Sequence, residues 1–179
     1  MKKTIYRNNR YRVVEEHINI RRKKVRMFMV DKPNAVVLIP MIDKDTVLME
    51  YQYRYPVNRY IYELPAGGIE KGESAAVAAA RELEEETGYK AGRLRRMFKV
   101  IESPGITNTI FTFYLAEGLY KGSRKLDDGE KIKPRKVKLK DAIRMINDGR
   151  IDDGKTVLGI IRYLYCRKGR WKVCPEKEG

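Results

Sequence analysis

Residues 67–89 read GGIEKGESAAVAAARELEEETGY, and this stretch limits both the fold and the chemistry of the chain. Gly72 and Glu73 end a turn, and Ser74 opens a run of good helix formers over 75–86. Gly88 stands where a left-handed C-terminal cap belongs. Ala76, Ala80, Leu83 and Thr87 recur at helical spacing and are expected to form one buried stripe. On that projection Glu82, Glu85 and Glu86 share the face opposite the core. Crowded carboxylates repel one another unless a cation neutralises them, and hard ions such as Mg²⁺ or Mn²⁺ prefer oxygen ligands. Arg81, four residues before Glu85, can steady it with an ion pair. Taken alone, the acidic run also fits a solvated helix face with ordinary ion pairs.

The spacing carries more than the helix. Gly67, Glu73, Arg81, Glu82, Leu83, Glu85, Glu86, Gly88 and Tyr89 fit Gly-x5-Glu-x7-Arg-Glu-apolar-x-Glu-Glu-x-Gly-apolar. This resembles the Nudix box, whose enzymes cleave nucleoside diphosphates linked to another moiety. The full signature and the flanking glycines favour a metal site over a solvated face. The resemblance implies an α+β fold, an α/β/α sandwich with a mixed sheet between helices. Upstream lie YQYRYP (51–56) and YELPA (62–66), and downstream Ser103-Pro104-Gly105. Together these are similar to the ADP-ribose pyrophosphatase branch, over roughly residues 10–165.

Several roles follow from that likeness. The Ala66 carbonyl joins Glu82, Glu85 and Glu86 around Mg²⁺ or Mn²⁺. Arg54 lies near the diphosphate, or else forms a strand-edge ion pair. Glu63 reaches the ligand or a metal, or else partners Arg54. Pro104 and Gly105 border the substrate. Glu130, in KLDDGEKI (125–132), matches the late acidic residue that acts as base, with Asp127 and Asp128 as neighbours able to substitute. Glu85 and Arg81 complete the catalytic set. Thr109 departs from the pattern, standing where the branch often carries an acid, which weakens the assignment of the distal ribose site. The implied reaction converts ADP-ribose to AMP and ribose 5-phosphate. Competing readings are another nucleotide sugar, an RNA 5′ end, or a non-catalytic regulator that binds nucleotide or RNA. Branch members are commonly homodimers, and an N-terminal hairpin could supply the contact. Tyr53, Phe28 and Tyr6 are candidate adenine-stacking aromatics, with core packing as their alternative role.

Composition narrows the remaining classes. A chain of 179 residues suits one catalytic domain. No apolar run reaches membrane-spanning length, and the basic N-terminus lacks the apolar core of a secretory signal. Cys166 and Cys174 are spaced unlike a zinc site, so reduced thiols and a cytoplasmic location are expected. His17 is the single histidine, which argues against histidine chemistry. The net charge of +15 is concentrated at the two ends, while residues 34–118 carry ten basic and twelve acidic side chains. Basic flanks steer polyanionic nucleotides and hold RNA weakly, in a salt-dependent way, or they simply form a highly charged soluble surface.

The expected organisation is a basic N-terminal hairpin (1–33), a catalytic domain (34–167) and a tail (168–179). Strands are expected at 10–19 and 24–31 around a turn at 19–22, then at 35–41, 46–53, 59–64, 94–102, 110–117 and 135–139. Residues 118–131 read as a polar loop. Helices are expected over 141–147 and 153–167, the second with Val157, Ile160, Ile161 and Leu164 on one face.

Overall fold

The computed structural model describes residues 2–126 and 131–169. In chain order these form β1 (Lys2–Arg7), β2 (Arg12–Ile20), β3 (Lys23–Asp31), β4 (Ala35–Asp43), β5 (Thr46–Arg54), β6 (Arg59–Glu63) and β7 (Ala66–Gly68). Helix α1 (Ala75–Thr87) follows, then β8 (Tyr89–Ile101), β9 (Ile110–Lys121), β10 (Ile132–Lys138), α2 (Leu139–Asn147) and α3 (Gly154–Arg167).

Strand β4 decides the layering. Val36, Val37, Leu38 and Ile39 are all fully buried, the mark of a strand covered on both faces. Because successive side chains point to opposite faces, Val36 and Leu38 pack with Ala78, Ala79 and Leu83 of α1. Val37 and Ile39 pack instead with Ala142 and Met145 of α2 and Ile160 and Tyr163 of α3. The sheet between these layers runs β10-β5-β4-β9-β8, with β6 on β5 and β7 on β4. β4 and β9 are parallel and the other pairs antiparallel. This is the expected α+β sandwich with a mixed sheet between helices.

The buried stripe of α1 differs from the one expected. Ala78, Ala79, Leu83, Glu86 and Thr87 are buried, whereas Ala76 and Ala80 are exposed. Five alanines in the first two turns give the helix no unique apolar direction, and the sheet chooses. The rotation carries Glu86 inward and leaves Glu82 and Glu85 partly covered. The three carboxylates therefore sit at and beside the packed face, not opposite it. Ser74 accepts the Val77 N–H at 3.3 Å, and Gly88, at φ 73°, ends the helix by donating to Glu84 O at 2.8 Å.

The N-terminal hairpin turns through Arg21 and Arg22, at φ 46° and 64°. Two consecutive left-handed residues make the two-residue turn whose twist suits a hairpin. β1, which the sequence reading missed, adds a third strand in the order β1-β2-β3. This sheet meets the body where the Val30 N–H donates to Ile106 O at 2.8 Å. The polar segment after residue 118 is partly strand, since β9 runs to Lys121.

Gly159 lets α3 approach the sheet. An added Cβ would lie 2.6 Å from Leu64 Cδ1 and 3.2 Å from Phe113 Cε1, both in the buried core. Alanine gains about 1 kcal/mol in helix propensity, but overpacking costs about 1–3 kcal/mol. Gly159→Ala is therefore expected to lower the urea midpoint with little change in slope; an unchanged or higher midpoint would show that the core yields.

Candidate active site

Arg81 organises the loop and the helix of the 67–89 segment. Its Nε and Nη2 donate to the two oxygens of Glu73 at 2.9 and 3.0 Å. Its Nη1 donates to Glu82 at 2.8 Å and Glu85 at 3.0 Å, and its Nη2 to Gly68 O at 2.9 Å. One guanidinium thus joins β7, the turn and two box carboxylates, the bidentate geometry for which arginine is suited. The hydrogen bond from Arg81 lowers the Glu73 pKa; burial opposes it, and the Glu70 N–H assists. Glu73 therefore supports this geometry at neutral pH, and that support fades as acid protonates it below the ordinary carboxylate range. The Arg81 pKa is raised, first by Glu73 against desolvation, then by Glu82 and Glu85.

Glu86 is 5% exposed and accepts the Ala66 N–H at 3.0 Å. That bond draws the end of α1 against β7, whose pairing of Ala66 with Val37 fixes the loop. Gly67 lies directly over Glu82, and a Cβ there would come within 2.0 Å of the carboxylate. Only glycine allows this approach.

These residues open on a cavity of about 1020 Å³. Ala66, Gly67, Glu82 and Glu86 form one wall. The ion-paired group Arg54, Glu63 and Lys155 also lines it, as do the pair Lys32 and Glu102 and the ring of Phe111. Four basic and five acidic side chains line it, so the lining is net negative before any ligand enters. Added positive charge would favour a diphosphate there. Among the described residues, no three acidic, histidine or cysteine side chains converge as a ready-made metal cage. Mg²⁺ rarely needs one, since it is usually held by one or two carboxylates, waters and substrate phosphates. Glu82 and Glu86, with the close cradle of Gly67 above Glu82, fit such an ion, and Ala66 lines the same wall.

The other sequence candidates divide. Arg54 Nε donates to Glu63 at 2.6 Å and Nη2 at 3.2 Å, and both side chains line the cavity. Burial lowers the Arg54 pKa, but the Glu63 hydrogen bond and charge outweigh it, leaving the guanidinium raised. Glu85 is bound to Arg81 and is not among the lining residues. Pro104 and Gly105 occupy an exposed turn in which Ser103 O accepts the N–H groups of Ile106 and Thr107 at 2.9 Å. The cavity is lined instead by the two sides of that turn, Glu102 and Thr109. Glu130, Asp127 and Asp128 lie outside the described residues. Tyr53 rests edge-on to Tyr60, Arg26 covers Phe28 and Tyr6 packs on Tyr11; none of these candidate stacking residues lines the cavity. Sequence reasoning missed Lys32, Phe111, Asp153 and Lys155, none of which belongs to a spaced motif.

Residues 31–158 match the NUDIX domain. The chain belongs to this family. It is 37% identical to an ADP-ribose pyrophosphatase of Bacillus subtilis, over 78% of this chain and 76% of that protein. It is 38% identical to a methanol dehydrogenase activator of Bacillus methanolicus, over 76% and 74% of the two chains. A crystal structure of an ADP compounds hydrolase superimposes with a TM-score of 0.79, covering 96% of this chain and 95% of the other at 24% identity. This last likeness is one of fold. The NUDIX match covers all of β4–β10, α1 and α2, and ends within α3. No helix among the described residues is long and apolar enough to cross a membrane.

Proposed function

We propose that this Nudix hydrolase adds water across the diphosphate of ADP-ribose, giving AMP and ribose 5-phosphate. The observation that carries the reading is the meeting of Glu82 and Glu86 with Arg54 around one cavity. The likeness to an ADP-ribose pyrophosphatase supports the choice of substrate. Mg²⁺ or Mn²⁺ would be held by Glu82 and Glu86, with the Ala66 carbonyl alongside. When bound, such an ion supplies positive charge to the diphosphate oxygens. Arg81 keeps Glu82 and Glu85 in place, and Arg54 adds a cation to the lining of the same cavity.

Glu130 is our candidate for the base that accepts the proton of the attacking water. Support comes from the segment before it, where the Lys125 N–H donates to Glu85 O at 3.0 Å and Arg124 Nε to Glu86 O at 2.8 Å. The end of the metal helix is thereby tied to the start of the acidic loop. Glu130→Gln is expected to lower kcat with little change in substrate affinity, because a base acts in the transition state. A change in KM alone would make Glu130 a binding residue, and no change would move the role to Asp127 or Asp128.

Residues 1–33 are read as a dimer contact, 34–167 as the catalytic domain and 168–179 as a tail. Ile5, Ile18, Ile20, Met27 and Phe28 are exposed on the N-terminal sheet, which favours a second copy of the chain as partner. We place the protein in the cytoplasm and assign its basic ends to steering of nucleotides, with weak, salt-sensitive RNA binding as a by-product. The deciding assay is AMP release from ADP-ribose, compared with other nucleotide sugars and capped RNA, with Mg²⁺ and with Mn²⁺. Nanomolar RNA affinity without AMP release would overturn the enzyme in favour of a regulator.

A further inference from the structure

The start of α3 carries a charge cluster that the site signature does not include. Glu63 is 2% exposed, and its Oε1 accepts from Lys155 Nζ as well as from Arg54 Nη2. Lys155 Nζ also donates to Asp153 Oδ2 at 3.0 Å. The same Asp153 oxygen caps α3, accepting the Thr156 N–H at 3.0 Å and its hydroxyl at 2.6 Å. The Thr156 hydroxyl oxygen in turn accepts the Leu64 N–H at 2.8 Å. A continuous hydrogen-bonded path therefore runs from the α3 cap to the strand entering the metal loop. Arg54, Glu63, Asp153 and Lys155 all border the cavity.

Two cations and two carboxylates balance within this path. A buried carboxylate with a single cation pulls that cation hard, because water does not screen the pair. Lys155 divides the pull on Glu63. Glu63 claims the Nε edge of Arg54 through Nε and Nη2, which leaves the Nη1 edge; the side chain lines the cavity and also feels the charges of Glu86 and Glu50. A guanidinium edge of this kind suits a phosphate oxygen pair.

We propose that Lys155 is a positioning residue: by sharing Glu63 it fixes the Arg54 guanidinium and leaves its outer edge for the substrate diphosphate. Without the Lys155 charge, Glu63 and Asp153 compete for one guanidinium, and Arg54 turns from the cavity toward them. The inference rests on the reading of the cavity as a diphosphate site.

The test is a cycle of R54Q, K155M and the double variant in the full chain, with K155R as the conservative control. K155Q replaces K155M in the cycle if the latter does not fold. The readouts are kcat and KM for ADP-ribose, equilibrium affinity for its non-hydrolysable α,β-methylene analogue, and melting temperature. R54Q and K155M are each expected to lower kcat/KM and analogue affinity at least about tenfold, the scale of a lost supporting partner. The double variant is expected to match R54Q alone, and K155R to recover most of the loss. Losses that multiply in the double variant, or wild-type values in K155M, overturn the inference while leaving the enzyme reading intact. A wild-type chain that cleaves no nucleoside diphosphate sugar overturns both.

Discussion

Glu86→Gln is expected to remove most turnover while the fold survives. The amide keeps an oxygen that can accept the Ala66 N–H, so the junction of α1 and β7 holds. What is lost is one of the two carboxylates that face the cavity from this helix. An amide oxygen binds a hard cation less well than a carboxylate does. Circular dichroism should match the wild type, and turnover should fall at least about tenfold, the lower range for a lost metal partner. Near-normal turnover at saturating Mg²⁺ would remove Glu86 from the ligand set.

A second large effect is expected from a single methyl group. Gly67→Ala sets a Cβ within 2.0 Å of the Glu82 carboxyl carbon and of its Oε1. The obstacle is the end of a long side chain, so Glu82 gives way and the backbone does not. Its bond to Arg81 is then disturbed, and Arg81 also holds Glu85 and Glu73. Activity is expected to fall at least about tenfold, on the scale of a displaced metal partner, with only a small change in melting temperature. Loss of stability in step with activity would show that Gly67 serves the fold and not the site. In Gly67→Ala the apparent Mg²⁺ requirement should rise; an unchanged metal titration would argue that Glu82 is not a ligand.

How far the chain could be read depended on how local each signal was. Caps, turns and apolar runs are contained in a few consecutive residues, and the strands and helices from β4 onward were legible for that reason. β7 was not, because Ala66-Gly67-Gly68 becomes a strand only by pairing with β4. The direction of α1 failed for a related reason: its alanines were interchangeable until the sheet selected Ala78 and Ala79. The box residues were visible because four site carboxylates and Arg81 share one turn and one helix. Lys155 was not visible, since its partner Glu63 lies 92 positions away and only the packing of α3 beside β6 brings them together. Glu63 left two possibilities open in the sequence, and the structure shows the partner of Arg54, with both carboxylate oxygens engaged by Arg54 and one of them also by Lys155.

The N-terminal sheet has a consequence for the dynamics of the chain. Its three strands pair with one another and carry Ile5, Ile18, Met27 and Phe28 on open surface, while β4 is sealed on both faces. Backbone amides in β1–β3 can therefore exchange with solvent through an opening that leaves the sandwich closed, whereas those of β4 must await global unfolding. A second chain seated on the sheet would close that local route. Deuterium uptake in the hairpin would then slow as protein concentration rises, and uptake in β4 would not, making amide exchange a residue-level gauge of self-association.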